Sequence, residues 1–457
     1  MRKVIFFLSS IFLFSCSMAP KYERPKIDLP ESRQEKKEQI DKRWWEKYKD
    51  EKLNALIEEA LKNNDDLLLA YERIKEASYY YTLATAELFP ELDLSVTASR
   101  QKISKRAKPF GGITYSDFSI SSILSYELDF FGRLKDYQKA ELHRLLAQKA
   151  YADTVRLKLV ADVTTLYLDL CTVQEQINIM EDLLKRYEEI YSYRKRQYEN
   201  GLIDILPVEQ EKTLLDGAKL NLKKLNEKKD LIKNSLSLLL GRQPKGIFSS
   251  EDLTCKGLPE AIPIPSFIPS DVLEQRPDIF TAEQNLIASH YDVGAVKAEY
   301  FPRIFLTGAA GLRSASLSNL FTSSANMWSL GASLLSPLLD FGRTKSEVEI
   351  AQSLRRQALI EYIKSVKNAF SEVNQALINL EALKEQIELQ KIQVDNYSSI
   401  LKVAQKRYEN GLVDYMNVLQ AERDYETSLL DLITLKGDYL KGQVVLYKAL
   451  GGGWERE

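Results

Sequence analysis

Two stretches of the chain carry apolar residues at a seven-residue spacing, which is typical of helices that wind around neighbouring helices in a left-handed coil. They occupy residues 202–240 and 412–450, and the repeating positions are Ala218, Leu225, Ile232 and Leu239 in the first and Val418, Tyr425, Leu432, Tyr439 and Leu446 in the second. Residues 133–200 and 343–410, which precede these stretches, contain no Gly or Pro. Each of these runs predicts a continuous helix about 100 Å long. The pattern therefore predicts two long helical hairpins.

Two other parts of the chain alternate apolar with small polar residues. In residues 304–340 only Arg313 and Asp340 are charged, although 28% of the whole chain is charged. Residues 91–129 alternate in the same way. Segments of about ten residues with this pattern are typical of transmembrane β-barrel strands, with apolar side chains towards lipid and polar ones towards the lumen. Four such strands cannot close a barrel, and an open sheet edge cannot face lipid, so the pattern predicts either a soluble sheet or a barrel shared by several copies.

The two halves of the chain repeat each other. Residues 198–210 and 408–420 agree at most positions, and Gly132-Arg133 matches Gly342-Arg343 at the same offset. Further upstream, an Ala-Glu-x-Phe-Pro phrase occurs at residues 86–90 and again at 298–302. Since strands and helices are repeated together, we interpret the mature chain as a tandem duplication.

A Tyr-Glu-Asn-Gly-Leu phrase ends each long helical run. Because both flanks are helical, Gly201 and Gly411 are predicted to take the left-handed conformation that ends one helix and lets the chain reverse. Asp204 and Asp414 follow three residues later and are predicted to cap the returning helix. The predicted helix-tip turns comprise Tyr198, Asn200, Gly201 and Leu202 in one copy and Tyr408, Asn410, Gly411 and Leu412 in the other.

The N-terminus is predicted to be a signal peptide. It opens with Arg2 and Lys3, and the apolar run at residues 4–14 is shorter than the roughly 20 residues that a membrane-spanning helix needs. Cys16 directly follows a small residue, which resembles the bacterial lipobox, whose Cys thiol receives a diacylglycerol before cleavage. We therefore expect a covalent diacylglycerol and an N-acyl chain on Cys16, and several acyl chains give stable anchorage. An ordinary secretory signal with an incidental Cys is the alternative. The residue after Cys16 is Ser17. An Asp at this position would resemble an inner-membrane retention signal, so delivery to the outer membrane is expected.

Composition argues against several classes of site. Lys and Arg number 63 and Asp and Glu 65, so the chain lacks the excess basic charge of a nucleic-acid-binding protein. The two histidines, His143 and His290, have no ligand cluster around them, so no metal site is expected. Asp340-Phe341-Gly342 spells the kinase triplet, but no Gly-rich phosphate loop accompanies it, and no enzyme is expected.

Cys171 and Cys255 are expected to be unpaired. One lies in a helical stretch and the other in a loop, and a chain of 457 residues can bury a core without disulfides.

These patterns predict a linear organisation. It comprises a lipoprotein signal peptide (1–15), a lipidated N-terminal segment (16–52), repeat 1 (53–244, with a strand pair at 91–129 and a helical hairpin at 133–240), a Pro-rich connector (245–269), repeat 2 (270–451, with a strand pair at 303–340 and a helical hairpin at 343–450) and a tail (452–457). Prolines and glycines exclude long helices from the N-terminal segment, the connector and the tail. We expect these three pieces to form a small mixed equatorial domain.

An ordered set of short motifs resembles the TolC-like outer membrane factor family, and more narrowly its OprM-type lipoprotein branch. The motifs are the lipobox with CSMAPKYERP, WWEKY at Trp44–Tyr48, Ala-Glu-x-Phe-Pro before each strand pair, DFFGR and LDFGR after each strand pair, RPDI at residues 276–279, and the paired tips. The resemblance covers nearly the whole chain. It implies an α+β membrane protein in which a homotrimer forms one 12-stranded outer-membrane β-barrel, four strands per chain, continued by a long periplasmic α-helical barrel of coiled-coil hairpins.

The resemblance also implies a function without catalysis. Such a protein is the exit duct of a tripartite efflux system and passively conducts substrates from an inner-membrane pump of the RND type, through a periplasmic adaptor (membrane fusion protein), to the cell exterior. The helix tips would dock the adaptor and form the aperture, for which we expect Asp414, Met416, Asn417 and Gln420 in the second copy, while the first copy shapes the adaptor groove. Family apertures commonly carry carboxylates where this chain has amides, and an amide ring attracts cations less strongly. Gly132, Arg133, Gly342 and Arg343 are the expected strand-to-helix junctions.

Two alternatives remain open at this point. The chain could serve as the exit duct of a type I protein secretion system, or as a lipid-anchored coiled-coil tether without conductance. A tether would not need charge-depleted strands.

Overall fold

The computed structural model describes residues 17–27, 41–106, 111–249, 251–264 and 276–455. The predicted signal peptide and Cys16 lie outside these residues, as do residues 265–269 of the predicted connector. The described α-helices are α1 (Glu51–Asn63), α2 (Asp65–Ala86), α3 (Arg133–Glu199), α4 (Ile205–Leu239), α5 (Pro244–Phe248), α6 (Pro277–Lys297), α7 (Arg343–Glu409) and α8 (Tyr415–Ala449). The described strands are β1 (Glu91–Lys102), β2 (Thr114–Leu128), β3 (Arg303–Ser314) and β4 (Asn326–Leu335).

The predicted helical hairpins are present. The helices α3 and α7 each contain 67 residues, and α4 and α8 each contain 35. Neither long helix has an internal Gly or Pro, so no residue interrupts its backbone hydrogen bonds. Among the residues that the structure describes, no helix is both long and apolar enough to cross a membrane.

The four strands form one antiparallel sheet in the order β1-β2-β3-β4. Its register aligns Val96, Ile120 and Leu312 across the first three strands on one face. The opposite face carries mainly small or polar residues such as Ser121, which lies opposite Ser95. On β4, Trp328 and Leu330 are 80% and 81% exposed, as side chains facing lipid would be in a single chain. The four predicted strands are therefore confirmed, with their alternation intact.

Each of the two compact units of the chain draws on both repeats. One unit combines Met1–Ile27, Arg73–Lys149 and Thr281–Ile363, and it contains the sheet. The other combines Asp28–Glu72, Ala150–Phe280 and Lys364–Glu457, and it contains both helix tips. The repeat boundaries drawn from the sequence are not tested by this division and stay predictions.

The core of the second unit brings the N-terminal WWEKY motif onto α8. The Trp44 ring stacks on Tyr447 with centroids 5.2 Å apart, and the Tyr48 hydroxyl donates a hydrogen bond of 3.1 Å to the Leu440 carbonyl. The Gln443 side chain bonds both the amide and the carbonyl of Ile262, at 3.1 and 2.6 Å. A motif and a connector that are distant in sequence are thus fixed to the same helix.

The prediction that Cys171 and Cys255 are unpaired is wrong. A disulfide joins them, with their Cα atoms 5.1 Å apart across a sequence separation of 84. The physical reason is tertiary, because Leu253 and Ile262 on either side of Cys255 are buried in the same core as α3. Their burial carries the loop back onto the helix, which the spacing of the two cysteines did not indicate.

Candidate aperture and docking site at the helix tips

The two long helices end in the same turn. Gly201 and Gly411 both have φ of +70°, in the left-handed region that favours glycine. In each turn the amide of the next leucine donates to a carbonyl five residues back, Leu202 to Gln197 at 2.8 Å and Leu412 to Arg407 at 2.9 Å. This is the hydrogen bond of a Schellman ending, which satisfies carbonyls that the helix leaves free. A Cβ added at either glycine would meet nothing within 4 Å, so backbone conformation and not space requires glycine.

The predicted caps of the returning helices are confirmed. The Asp204 carboxylate accepts a hydrogen bond of 2.7 Å from the Ile205 amide. The Asp414 carboxylate accepts one of 3.1 Å from the Met416 amide. Asn200 and Asn410 add a further matched pair, since each side-chain amide donates at 2.7 Å to a carbonyl of the last helical turn. Both hairpin tips are therefore built by the same local interactions.

The residues predicted for the aperture share one exposed side of the second tip. Asp414, Met416, Asn417 and Gln420 are all exposed, whereas Tyr415, Val418 and Leu419 are buried in a small apolar cluster. The Asn417 amide donates at 3.2 Å to the Asp414 carbonyl, and the Gln420 amide donates at 2.8 Å to Asp424. The first turn of α8 thus presents mainly amide and thioether groups to its surroundings.

The remaining residues predicted at the tips are also accessible. Leu202 and Leu412 are 71% and 73% exposed, and Tyr198 is more exposed than Tyr408. Exposed leucines at a turn are available for contact with another protein. Their role in adaptor docking stays a prediction.

Sequence reasoning missed a buried cluster that connects the two tips. The Tyr415 hydroxyl donates a short hydrogen bond to Glu211 on α4, whose carboxylate is fully buried. The guanidinium of Arg194, on α3, lies 4.2 Å from the centre of the Tyr415 ring and 5.2 Å from that of Tyr408. A cation over an aromatic face is attracted to it, most strongly where water is excluded. The start of α8 is therefore attached to the first hairpin.

The residues of this cluster are not repeated at the equivalent positions of the other repeat. At the matching positions the chain has Ile205 for Tyr415, Ala421 for Glu211 and Ala404 for Arg194. The one signal in the sequence was the change from an apolar residue to a tyrosine at the start of the second returning helix.

Two more carboxylates lie on the same face of α8. Burial, and to a smaller extent the neighbouring Glu211 and Glu426 carboxylates, raise the pKa of Glu422 to about 7. Glu426 accepts a hydrogen bond of 2.5 Å from the Tyr187 hydroxyl, and burial raises the pKa of Glu426 as well. Burial also raises the pKa of Glu211, against the opposing effects of its Tyr415 bond and of Arg194. The contact between the hairpins is therefore sensitive to protonation.

The predicted strand-to-helix junctions differ in detail between copies. Gly132 and Gly342 both have positive φ, +76° and +89°. Arg133 forms a two-pronged pair with Glu127 of β2, at 3.0 and 2.9 Å, whereas Arg343 lies 3.8 Å from Glu347 of its own helix. In the first copy a charged pair therefore connects the strand to the helix that follows it.

Asp340 organises the second junction. Its carboxylate accepts hydrogen bonds from the amides of Gly342 and Thr344, both at 3.0 Å. Hydrogen bonds from the Thr344 side chain and backbone and from Gly342 lower the pKa of Asp340 to about 2. The Asp-Phe-Gly triplet is thus a structural turn. Within the described ranges, no group of three or more His, Cys, Asp or Glu side chains is placed to hold a metal ion.

A four-stranded sheet with an exposed apolar face and two 67-residue helices that return through 35-residue helices define the subunit of an outer-membrane channel. The model of the outer membrane efflux protein family matches residues 56–242 and 268–452. The chain belongs to that family. Proteins of this family are channels, and the chain is an outer-membrane efflux channel.

Individual relatives are similar in sequence to this chain over most of their length. The chain is 30% identical to the cation efflux system protein CusC of Escherichia coli O6:H1, over 99% of both chains. It is 30% identical to the probable outer membrane lipoprotein SilC of Salmonella typhimurium, over 98% of both. It is 32% identical to the solvent efflux pump outer membrane protein SrpC of Pseudomonas putida, over 89% of this chain and 86% of SrpC.

A solved structure of CusC, determined in work on its folding and transmembrane channel formation, has a TM-score of 0.86 at 30% identity. The match covers 95% of this chain and 100% of that chain. The fold is that of the trimeric outer-membrane channels, with four strands and long helical hairpins in each chain.

Proposed function

We propose that this protein is the exit duct of a tripartite efflux system, which passively conducts substrates delivered by an inner-membrane pump of the RND type and a periplasmic adaptor to the cell exterior. The observation that carries the proposal is the covalent arrangement of each repeat, in which a strand pair with a lipid-type face leads through a glycine junction into a helical hairpin. A conducting duct needs both parts, whereas a tether needs only the hairpins. The efflux systems in the names of CusC and SrpC support the same function. No catalytic step is part of the proposal.

Three copies would complete the barrel. Among the described strands β1 and β4 are the two edges of the sheet, and no described strand pairs with their outer hydrogen-bonding groups. Such edges are costly in lipid, since each unpaired backbone group costs several kcal/mol. A homotrimer with twelve strands pairs every edge with a neighbouring copy and leaves a lumen lined by the small polar face.

The second tip is the proposed aperture. Its exposed side carries Met416, Asn417 and Gln420, with Asp414 as the local anion. Its buried side is attached to the first hairpin through the hydrogen bond between Tyr415 and Glu211. This hydrogen bond is proposed to hold the aperture closed. The first tip, with exposed Leu202, Ile205 and Leu206, is proposed to shape the groove for the adaptor.

Lipid anchorage is the last element of the proposal. A diacylglycerol on the thiol of Cys16 and an acyl chain on its amine would hold the N-terminus in the outer membrane. The lipoprotein name of SilC supports this modification.

The test is conductance of the purified, full-length oligomer in planar lipid bilayers. Asn417→Asp and Gln420→Glu are expected to raise the permeability of cations relative to anions, because a ring of carboxylates attracts cations more strongly than a ring of amides. The matched substitutions in the first tip, Pro207→Asp and Gln210→Glu, are expected to leave this ratio nearly unchanged. Absence of any conductance, also after the tip contacts are loosened, would support a tether. A change at the first tip alone would reverse the assignment of the two tips.

A further inference from the structure

The segment that follows Cys16 is bound to α3 and α6 through buried polar groups. Its three anchor contacts are Ser17 to Asp136, the Pro20 carbonyl to His290 Nε2 at 2.7 Å, and Arg24 to Glu283 at 2.9 Å. Asp136 is fully buried, and His290 and Glu283 are each 6% exposed. Buried polar groups are costly without partners, so three of them facing one segment indicate a surface shaped to receive it.

Asp136 makes the contacts nearest to Cys16. The Ser17 hydroxyl lies 2.7 and 2.8 Å from the two carboxylate oxygens, and the Ala19 amide donates to one of them at 3.3 Å. The Ala19 amide also lies 3.2 Å from the Ser17 hydroxyl oxygen, so the three residues close a small turn. The nearest basic group is the Lys139 ammonium, 3.8 Å away on a half-exposed side chain. The carboxylate therefore depends mainly on the N-terminal segment for its hydrogen bonds.

Gly294 of α6 provides the space for this turn. A Cβ at position 294 would lie 2.7 Å from both the amide nitrogen and the Cβ of Ala19, and 2.5 Å from an oxygen of Asp136. Distances below about 3 Å require atoms to move, and here two of the three atoms belong to the bound segment. Gly294 does not have a positive φ, so close approach and not backbone conformation requires glycine.

We propose that Asp136 and Gly294 form a receptor for the acylated N-terminus of this chain, which fixes the attachment point of the lipid beside the first turn of α3 and rejects an acidic residue at position 17. The proposal rests on the acylation of Cys16 proposed above. Consecutive Cα atoms are about 3.8 Å apart, so a receptor that holds Ser17 would set the position of the lipid attachment point to within one residue. The lipid then anchors the protein at a fixed point on its surface and not through a flexible linker.

The chemistry at position 17 follows from the buried carboxylate. A hydroxyl can donate to Asp136, while an alanine would leave it short of a donor. An aspartate at position 17 would place two carboxylates side by side, and one of them would have to take up a proton or leave the site. The receptor thus selects a small hydroxyl residue directly after the acylated cysteine.

Limited proteolysis of the purified full-length protein, labelled with radioactive palmitate, tests the proposal. The Lys21-Tyr22 bond lies inside the bound segment, so tryptic cleavage there requires local release and separates residue 16 from the large fragment. Ser17→Ala, Asp136→Ala and Gly294→Ala are expected to accelerate formation of the fragment that begins at Tyr22 by about 5- to 10-fold. Gly217→Ala is the matched control, because position 217 is a helical glycine with nothing within 4 Å of an added Cβ.

A charge rescue separates recognition from general damage. Ser17→Asp is expected to accelerate cleavage by more than about 10-fold, and Asp136→Asn added to it is expected to recover most of the loss, because the like charges are removed. Unchanged cleavage in Ser17→Ala and Asp136→Ala, or no recovery in the double variant, would overturn the receptor. Ser17 is exposed, so its substitution leaves the folded core intact and keeps the test informative.

The two readouts distinguish the receptor from the modification. The fragment beginning at Tyr22 is detected by mass and needs no label. A protein without label but with the expected cleavage rates would overturn acylation of Cys16 and the lipid-positioning role, while the contacts of Asp136 would stand. A labelled protein whose variants are cleaved at the wild-type rate would overturn the receptor, while the acylation of Cys16 would stand.

Discussion

The Tyr415 hydroxyl donates a hydrogen bond to the fully buried carboxylate of Glu211, which attaches the first turn of α8 to α4 of the other repeat. Arg194 covers the ring of the same tyrosine. None of the three has a chemically similar residue at its repeat-related position. A duplicated chain therefore has two matching tips but only one contact of this kind.

Removing the Tyr415 hydroxyl is expected to loosen the second tip. In Tyr415→Phe the ring remains for packing, but the Glu211 carboxylate loses its donor in a buried position, at a cost of about 1–3 kcal/mol. We expect the open probability of the channel at rest, measured in planar bilayers, to rise by about 5-fold or more.

Tyr193→Phe is the matched control for that experiment. Tyr193 lies on α3 next to Arg194, is about half exposed, and its hydroxyl accepts a hydrogen bond from the Gln197 side chain. Its loss is expected to change the open probability little. Equal effects of the two variants would mean that the Tyr415 contact does not hold the tip closed.

The attachment of the second tip to the first hairpin is expected to weaken as the pH rises. Burial and the nearby carboxylates raise the pKa of Glu422 to about 7 from a usual value near 4.5, so between these values the folded tip binds more protons than the released one. The free energy of releasing the tip therefore falls as the pH rises through this window, by about 1–3 kcal/mol. Resting open probability is expected to be lower at pH 5.5 than at pH 8.

Glu422→Gln supplies the comparison for the pH experiment. The amide cannot ionise, so most of the pH dependence should disappear while the low-pH behaviour is kept. The raised pKa values of Glu211 and Glu426 leave a smaller slope of the same sign. A slope of opposite sign in the wild-type protein would contradict the assignment.

The sequence predicts those features that local residues decide. The long helices follow from the absence of Gly and Pro between Arg133 and Glu199, and the turn follows from Gly201, whose φ is +70°. Capping by Asp204 needs only its neighbours in the chain, and the strands follow from their two-residue period.

Contacts between segments that are distant in the chain could not be predicted from local sequence patterns. Arg194, Glu211 and Tyr415 come from three helices, and no spacing in the chain relates them. The pairing of Cys171 with Cys255 depends on where the connector packs, which is decided by the burial of Leu253 and Ile262. The receptor at Asp136 likewise combines the first turn of one helix, a glycine of another and the N-terminal segment.

Loss of the Cys171–Cys255 disulfide is expected to free the connector. A disulfide that closes a loop of this size typically contributes about 2–4 kcal/mol. Tryptic cleavage after the exposed Lys256, next to Cys255, is therefore expected to accelerate by about 30-fold or more in Cys255→Ser. Cys171→Ser and the double variant should give the same rate as Cys255→Ser, because all three break one bond. A double variant as resistant as the wild type would show that packing alone holds the connector.

Alanine at the tip glycines is expected to destabilise both turns to a similar extent. Gly201→Ala and Gly411→Ala place a Cβ on a left-handed residue, at a cost of about 1 kcal/mol each, without any steric clash. Hydrogen exchange of the last turns of α3 and α7 should accelerate accordingly. Gly217→Ala, within α4, should instead stabilise its helix by up to about 1 kcal/mol. Destabilisation by all three variants would indicate crowding that the structure does not contain.

Neighbouring positions on β4 are expected to respond differently to the same lysine. Leu330 lies on the exposed apolar face of the sheet and Ser329 on the opposite face. A lysine facing lipid costs about 2–4 kcal/mol near the middle of the bilayer, so Leu330→Lys should lower the yield of folded, membrane-inserted oligomer. Ser329→Lys should assemble normally and shift the ion selectivity of the channel towards anions, because a positive ring would then line the lumen. Assembly defects of equal size at both positions would place both faces in contact with packed protein and would contradict the orientation of the strands.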